Sequence, residues 1–313
     1  MNRFCKKLGL FLLIIIFALI AITSIFPYNK HGYIRRQLVK QDMLSRENRQ
    51  PSIILVGGSN VAFGYNSKII SDSMNMDVIN FGLHAGFGLK YIIDVLSLYV
   101  KEGDIVILSP EYEHFFNKNA YGEKPLADIF YLTNGKCINT LNKEQLRCII
   151  DNTPAYIRAN IESSLVNLVL KNSKSIYQYN SFNEYGDVIA HWERETSFSS
   201  PIAIQHKRSN VNSDFIEYFI SKIRDMKEKG TEIILYPPAI EETGYNNKIL
   251  DIQFIDSIMN VNKMPFICSP SDVVMPKTLF YDSEYHLNKD GAQRHSEHLV
   301  GILKKAVIPD YSF

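Results

Sequence analysis

Three short blocks of the chain hold residue types that could do acyl chemistry. Gly57-Gly58-Ser59-Asn60 follows one apolar run, Gly82 closes a second, and Asp282-Ser-Glu-Tyr-His286 lies near the C-terminus. A serine hydroxyl is a weak nucleophile and needs a neighbouring base. Histidine supplies that base near neutral pH, and a carboxylate fixes its tautomer. Backbone N–H groups must also face the oxyanion that develops. Ser59 as nucleophile, His286 as base, Asp282 as orienting acid and the amides of Ser59 and Gly82 as oxyanion donors supply these parts. The chemistry they predict is ester hydrolysis or acyl transfer through a Ser59 acyl-enzyme.

Each feature also has a plainer reading. Gly-Gly-Ser after a strand is an ordinary tight turn, and a lone histidine is more often a satisfied surface group. The weight comes from the order Ser, Gly, Asp, His. His84 is expected to be structural. Glu111 and Tyr112 follow the third apolar run and are candidate substrate-lining residues, with a solvated loop face as the alternative. His295 and His298 lie three apart on the last predicted helix. Metal binding there would need further ligands, so a solvated face is expected. Trp192 with Tyr177, Tyr179 and Tyr185 could form a sugar-facing platform, and core packing is the favoured reading.

These blocks need a scaffold that brings them to one edge. Ser52–Val56, Asp77–Phe81, Asp104–Leu108, Thr231–Tyr236 and Pro265–Cys268 read as strands. Helical spacing separates the early ones, over 67–73 and 89–100. That alternation means βαβ units and a parallel sheet. Ligands of such sheets bind beyond the carboxyl ends of the strands; two blocks follow strands, the third precedes the last helix, and the three could converge on one edge of the sheet. Residues 117–209 break the rhythm and read as a mostly helical insertion, with helices near 143–150 and 154–170. Helices are predicted again over 213–229, 249–260 and 289–305.

The N-terminus points to a membrane. Arg3, Lys6 and Lys7 precede an uncharged run, Leu8–Phe26, near the length a helix needs to cross a bilayer. No small-residue cleavage site follows, so the run reads as an uncleaved transmembrane signal anchor. The expected organisation is a short cytoplasmic N-terminus over 1–7, the anchor over 8–26, a juxtamembrane linker or short helix over 27–50, and an outward-facing α/β domain over 51–313. Formal net charge is +1, with no basic stripe, so nucleic acid is not an expected partner. Cys137, Cys148 and Cys268 show no metal-ligand spacing. One disulfide, Cys137 to Cys148, and free buried thiols are both open.

Val-Gly-Gly-Ser59-Asn, Ile-Asn-Phe-Gly82 and the late Asp-x-x-x-His286 together resemble the SGNH/GDSL hydrolase superfamily. The nearest likeness is to its membrane-anchored bacterial branch, with DltD and the alginate-acetylation proteins. The resemblance spans most of 50–305 and rests on the three blocks. It implies a flavodoxin-like three-layer α/β fold with a parallel sheet of about five strands. It also implies substrates that are acylated cell-envelope or exported polysaccharides, or lipid-linked, and a membrane acyl-transfer partner. No metal, nucleotide or other cofactor is called for. The chain departs from the family pattern twice. The acid lies four residues before the histidine instead of three. Ser109-Pro-Glu111-Tyr112 also stands where an asparagine normally follows a glycine. An anionic Glu111 cannot donate to an oxyanion, so Asn60 becomes the candidate third donor; a protonated Glu111, or another role for it, stays open. The rivals are a non-catalytic polysaccharide-binding or assembly protein on the same fold, and a lipid-directed esterase.

Overall fold

The computed structural model describes residues 2–25, 32–166, 176–204 and 209–306. Four parallel strands form its centre: β1 (Ser52–Val56), β2 (Asp77–Asn80), β3 (Ile105–Leu108) and β4 (Glu232–Leu235), in the order β2-β1-β3-β4. β1 is the sequence Ser-Ile-Ile-Leu-Val, buried along its whole length. Such a run suits a strand covered on both faces. Its side chains alternate between two cores. Ile54 and Val56 enter one apolar cluster, while Ile53 and Leu55 enter the other. The helices α5 (Leu89–Ser97), α8 (Ser213–Glu228) and α9 (Glu242–Val261) cover the first face. The second is covered by α3 (Ser59–Gly64), α4 (Ser67–Met74) and α10 (Lys289–Ala306).

The sheet has four strands, not about five. The expected fifth, Pro265–Cys268, is a single parallel bridge between Leu235 and Phe266, with one backbone bond from Ile267 N to Leu235 O at 2.8 Å. Pro265 has no N–H to give a ladder, and Ser269 already caps a 3-10 turn. A separate two-stranded parallel pair, β5 (Ile240–Glu241) and β6 (Val274–Met275), lies beyond it. In the insertion, α6 (Lys124–Leu132) and α7 (Lys143–Val166) pack together, and α7 runs unbroken through Pro154. Residues 167–170, expected to continue that helix, lie outside the described residues. The four cysteines are free thiols.

The transmembrane signal anchor expected over Leu8–Phe26 is not found. Among the described residues no helix is long and apolar enough to cross a membrane. The N-terminal helix α1 (Asn2–Ile25) carries Arg3, Lys6 and Lys7 in its first two turns, and Phe26 lies outside the described residues. The uncharged part that remains is about 27 Å long at about 1.5 Å per residue, against a hydrocarbon core of about 30 Å. α1 contacts α6 and α7. The expected single-pass, outward-facing placement rested on that span.

The segment read as a linker or short helix contains α2 (Arg36–Ser45), which buries Gln37, Lys40 and Leu44 in the domain; residues 27–31 lie outside the described residues. Just after α2, Arg49 grips the start of β3. Its two terminal nitrogens meet the two carboxylate oxygens of Asp104, each at 2.7 Å. Asp104 also accepts from Ser52 N at 3.0 Å and Lys101 N at 2.9 Å. Both charged side chains are almost fully removed from water, so breaking one partner strands a buried charge. Arg49→Ala is expected to lower the unfolding free energy by about 3–5 kcal/mol in urea titration. A loss under about 1 kcal/mol would show that the pair does not hold the strand start.

Candidate active site

The turn between β1 and α3 is built by close backbone approach. A Cβ on Gly58 would lie 2.7 Å from Glu111 Oε1 and 2.9 Å from Ala85 Cα; one on Gly82 would lie 2.5 Å from Val61 Cβ. Only glycine fits where these turns meet. The Asn60 side chain locks the turn. Its Oδ1 accepts from Gly58 N at 3.0 Å, and its Nδ2 donates to Ser109 O at 2.9 Å, beyond the end of β3. Ser59 opens α3 and is half-buried.

The late Asp/His block closes on itself. His286 Nδ1 and Asp282 Oδ1 lie 2.6 Å apart. A carboxylate only accepts, so Nδ1 carries the proton and Nε2 is the free basic nitrogen. Asp282 Oδ2 accepts from the Tyr177 hydroxyl at 2.9 Å. Burial pushes the Asp282 carboxyl up, but the hydrogen bond and charge of His286, with the Tyr177 hydroxyl, outweigh it and hold the group below its ordinary range. The imidazole stacks on Phe63, with ring centres 4.2 Å apart and planes 11° from parallel. Phe63 is four residues after Ser59 on α3. Residues at that spacing share a helix face, so His286 sits on the Ser59 side, one turn along. The four-residue acid-to-histidine spacing therefore reaches.

The oxyanion donors are placed differently from expectation. Gly82 N donates to Asn80 Oδ1 at 3.1 Å. Asn60 N donates to Glu111 Oε1 at 3.2 Å, and its side-chain amide is committed to Ser109. Asn60 is thus a brace and not a spare donor. Ser59 N has no acceptor among the described residues, as befits the first position of a helix. Ser59 Oγ donates to Glu111 Oε1 at 3.4 Å, not to His286.

Glu111 is the main surprise of the site. It is 8% exposed and lies against Ser59. Burial raises its carboxyl to about 7, aided by the charge of Glu113; the Asn60 N–H, the Ser59 hydroxyl and the charge of Lys248 oppose this. Tyr112, expected to line substrate, is a core residue packed edge-on to Phe266, with its hydroxyl buried and unpartnered. The polar wall beside it comes from Glu113, Lys248 and Glu284. Lys248 Nζ lies 2.9 Å from Glu113 Oε1 and also pairs with Glu284. These groups border a cleft of about 470 Å³.

The other candidates divide. His84 Nδ1 accepts from Gly86 N at 2.9 Å, and burial lowers this imidazole to about 4, so it is neutral near pH 7. His295 is buried, bonded to Gly64 O at 3.0 Å, and His298 meets the Tyr236 hydroxyl at 2.7 Å. Their helix face packs on the sheet side and is not the solvated surface expected. Among the described residues no cluster of three or more potential metal ligands occurs. No shared aromatic platform forms: Tyr177 serves Asp282, and Tyr179 lies under the Arg36 guanidinium. Sequence reasoning missed Phe63 as the seat of His286 and Tyr177 as second partner of Asp282. The i, i+4 spacing of Ser59 and Phe63 was a readable signal for the first; nothing local marks the second. The comparisons match the chain to no family model, no curated protein and no solved structure.

Glu111 has a stability consequence. Its folded-state pKa lies above the unfolded value, so between them the folded state holds a proton that the unfolded chain has released. Stability therefore falls as pH rises. The contribution is fully present below about 4.5 and lost as pH passes about 7. The loss is expected to reach about 3 kcal/mol. Glu111→Gln should remove this decline, as read by urea unfolding across the window. Parallel pH profiles for parent and variant would refute it.

Proposed function

We propose that the chain is a serine ester hydrolase or O-acyltransferase of the SGNH/GDSL kind, working through an acyl-enzyme on Ser59. The observation that carries this reading is the Asp282–His286 pair, closed at 2.6 Å and stacked on Phe63 one helical turn from Ser59. The cycle requires the Ser59 hydroxyl to leave Glu111 Oε1, where it rests at 3.4 Å, and turn to His286 Nε2. Ser59 Oγ then attacks the ester carbonyl while His286 Nε2 takes the proton. The C–O bond to the alcohol breaks, and His286 returns the proton to the leaving oxygen. Water or a sugar hydroxyl next loses a proton to His286 and attacks the acyl carbon; the bond to Ser59 Oγ breaks, and His286 returns that proton to Oγ. Asp282 keeps its charge throughout and holds the imidazolium.

The substrate class proposed is an acylated cell-envelope or exported polysaccharide. The sequence resemblance supports it, as does the cleft bordered by Asn117, Asn119, Glu113 and Glu284, whose amides and carboxylates suit hydroxyl-rich ligands. The choice between hydrolysis and transfer turns on whether an acceptor sugar displaces water beside Ser59. A second reading, a non-catalytic glycan-binding protein on the same fold, is favoured by two features. Ser59 rests on Glu111, and the Gly82 amide is already bonded.

Covalent labelling by a fluorophosphonate serine probe separates the two. The folded parent is expected to label, and Ser59→Ala and His286→Ala to abolish it. Asp282→Asn should slow it by about 10²–10⁴-fold, because the imidazole loses the acceptor that fixes its tautomer. A folded parent that does not label, or whose labelling survives in Ser59→Ala, speaks for the binding protein.

A further inference from the structure

Glu111 is the one buried acid in contact with the nucleophile that the cycle above leaves unused. Its Oε1 takes hydrogen bonds from Ser59 Oγ and Asn60 N, and it presses against the Gly58 backbone. These are the atoms around which an attacked carbonyl must place its oxygen. A carboxylate there would set a negative charge beside a second, developing one. That repulsion grows as the site loses water. It would also hold the Ser59 hydroxyl away from His286 and occupy the Asn60 N–H.

The surroundings of Glu111 give its charge no direct cationic partner. On its own segment stand Glu113, an acid, and the buried Tyr112 hydroxyl. Ser59 and Asn60 contribute only neutral donors from the β1–α3 turn. The β2 loop brings Ala85 against the same glycine and, next to it, the neutral His84. Tyr285, between Glu284 and His286, gives its hydroxyl to Glu113 at 3.0 Å. From α9, Lys248 spends its charge on Glu113 and Glu284. A buried carboxyl without a contacting cation is favoured in its neutral form.

We infer that Glu111 carries a proton in the working form of this site, and that its neutral carboxyl faces the developing oxyanion together with the Ser59 N–H. The inference rests on the serine-hydrolase reading and deepens it. The proton stays on Glu111 through the cycle. The proton that moves travels only between Ser59, His286 and the leaving or attacking oxygen. Glu111 thereby takes the place of the missing amide donor: as an acid it donates to the oxyanion, and as a carboxylate it switches the site off. Neutral carboxyls do this elsewhere when an apolar setting keeps them protonated.

The test is the rate of fluorophosphonate labelling of the full chain from about pH 5.5 to about pH 9, for the parent, Glu111→Gln, His286→Ala and Ser59→Ala. The probe suits the question because its phosphonyl oxygen occupies the oxyanion position when Ser59 Oγ bonds phosphorus and fluoride leaves. The parent is expected to lose labelling by about tenfold per pH unit on the alkaline side. Glu111→Gln, which keeps the shape and a donor N–H but cannot ionise, should label without that fall and outpace the parent above about pH 8. An alkaline fall that persists in Glu111→Gln overturns the inference while leaving the serine hydrolase standing. So does loss of all labelling in a Glu111→Gln protein whose circular dichroism matches the parent, since Glu111 would then be the base. A folded parent that never labels ends the hydrolase reading and this inference together.

Discussion

The carboxylate of Asp187, fully buried at the edge where the insertion meets the sheet, is the point on which the site's geometry depends. It accepts from Ser67 N and Ser67 Oγ at 2.9 and 2.6 Å, from Asn80 Nδ2 at 2.8 Å and from Asn183 Nδ2 at 2.9 Å. Burial raises its pKa, and the bonds from Ser67, Asn183 and Asn80 oppose that shift. A buried charge persists when donors satisfy it. Asn80 passes the order on: its Nδ2 also donates to Val61 O, and its Oδ1 receives Gly82 N. Lys40 completes the knot from α2, donating to Gly82 O and, at 2.8 Å, to Gly186 O. Its burial lowers its pKa well below the usual lysine range. Three distant segments thus fix one turn, and α3, which carries Ser59 and Phe63, is fixed with it.

Phe63 then converts position into orientation. An imidazole held by one carboxylate can still swing about that bond. Stacking against a fully buried ring removes the swing, and the Tyr177 bond stops the carboxylate from turning. The backbone helps as well: Tyr281 N donates to His286 O at 2.8 Å, closing the loop that carries both residues. A reactive nitrogen supported by rigid neighbours is placed more sharply than one on a free loop. The four-residue spacing between Asp282 and His286 thus still closes a hydrogen bond of 2.6 Å.

How far the sequence alone reveals this follows from range. β1, β2, β3 and β4 are short apolar runs whose signal is local, and each forms where its residues predict it. The turn at Gly57-Gly58-Ser59 is legible because it follows a short apolar run, and the Asp282–His286 hydrogen bond because the two lie four residues apart. What escapes is everything set by contacts distant in sequence. Tyr177 reaches Asp282 across 105 residues, and Asp187 reaches Ser67 across 120. Lys40 reads as a solvated linker cation until α2 is seen docked on the sheet. Gly82 and Asn60 look like spare donors because a sequence names a donor and not its acceptor. The anchor expected over Leu8–Phe26 fails for the opposite reason: a hydropathy run gives composition, while the described helix begins within the charged residues and none of the described helices is long and apolar enough to cross a membrane.

Two carboxyls in this site are pushed in opposite directions, and the cause differs for each. Asp282 loses some water but gains His286 and Tyr177, so its charged form wins. Glu111 loses more water, faces Glu113, and meets neutral donors on one oxygen only, so its charge is disfavoured. Opposed shifts in neighbouring acids are a mark of divided labour: one holds a charge in place, the other withholds one. Structural ion pairs also perturb carboxyls, but they do so by pairing with cations. Glu111 has a nucleophile where such a cation would sit. A contact of that kind adds little to stability, and at neutral pH it subtracts, so its presence is better explained by what it does to Ser59 than by what it does for the fold.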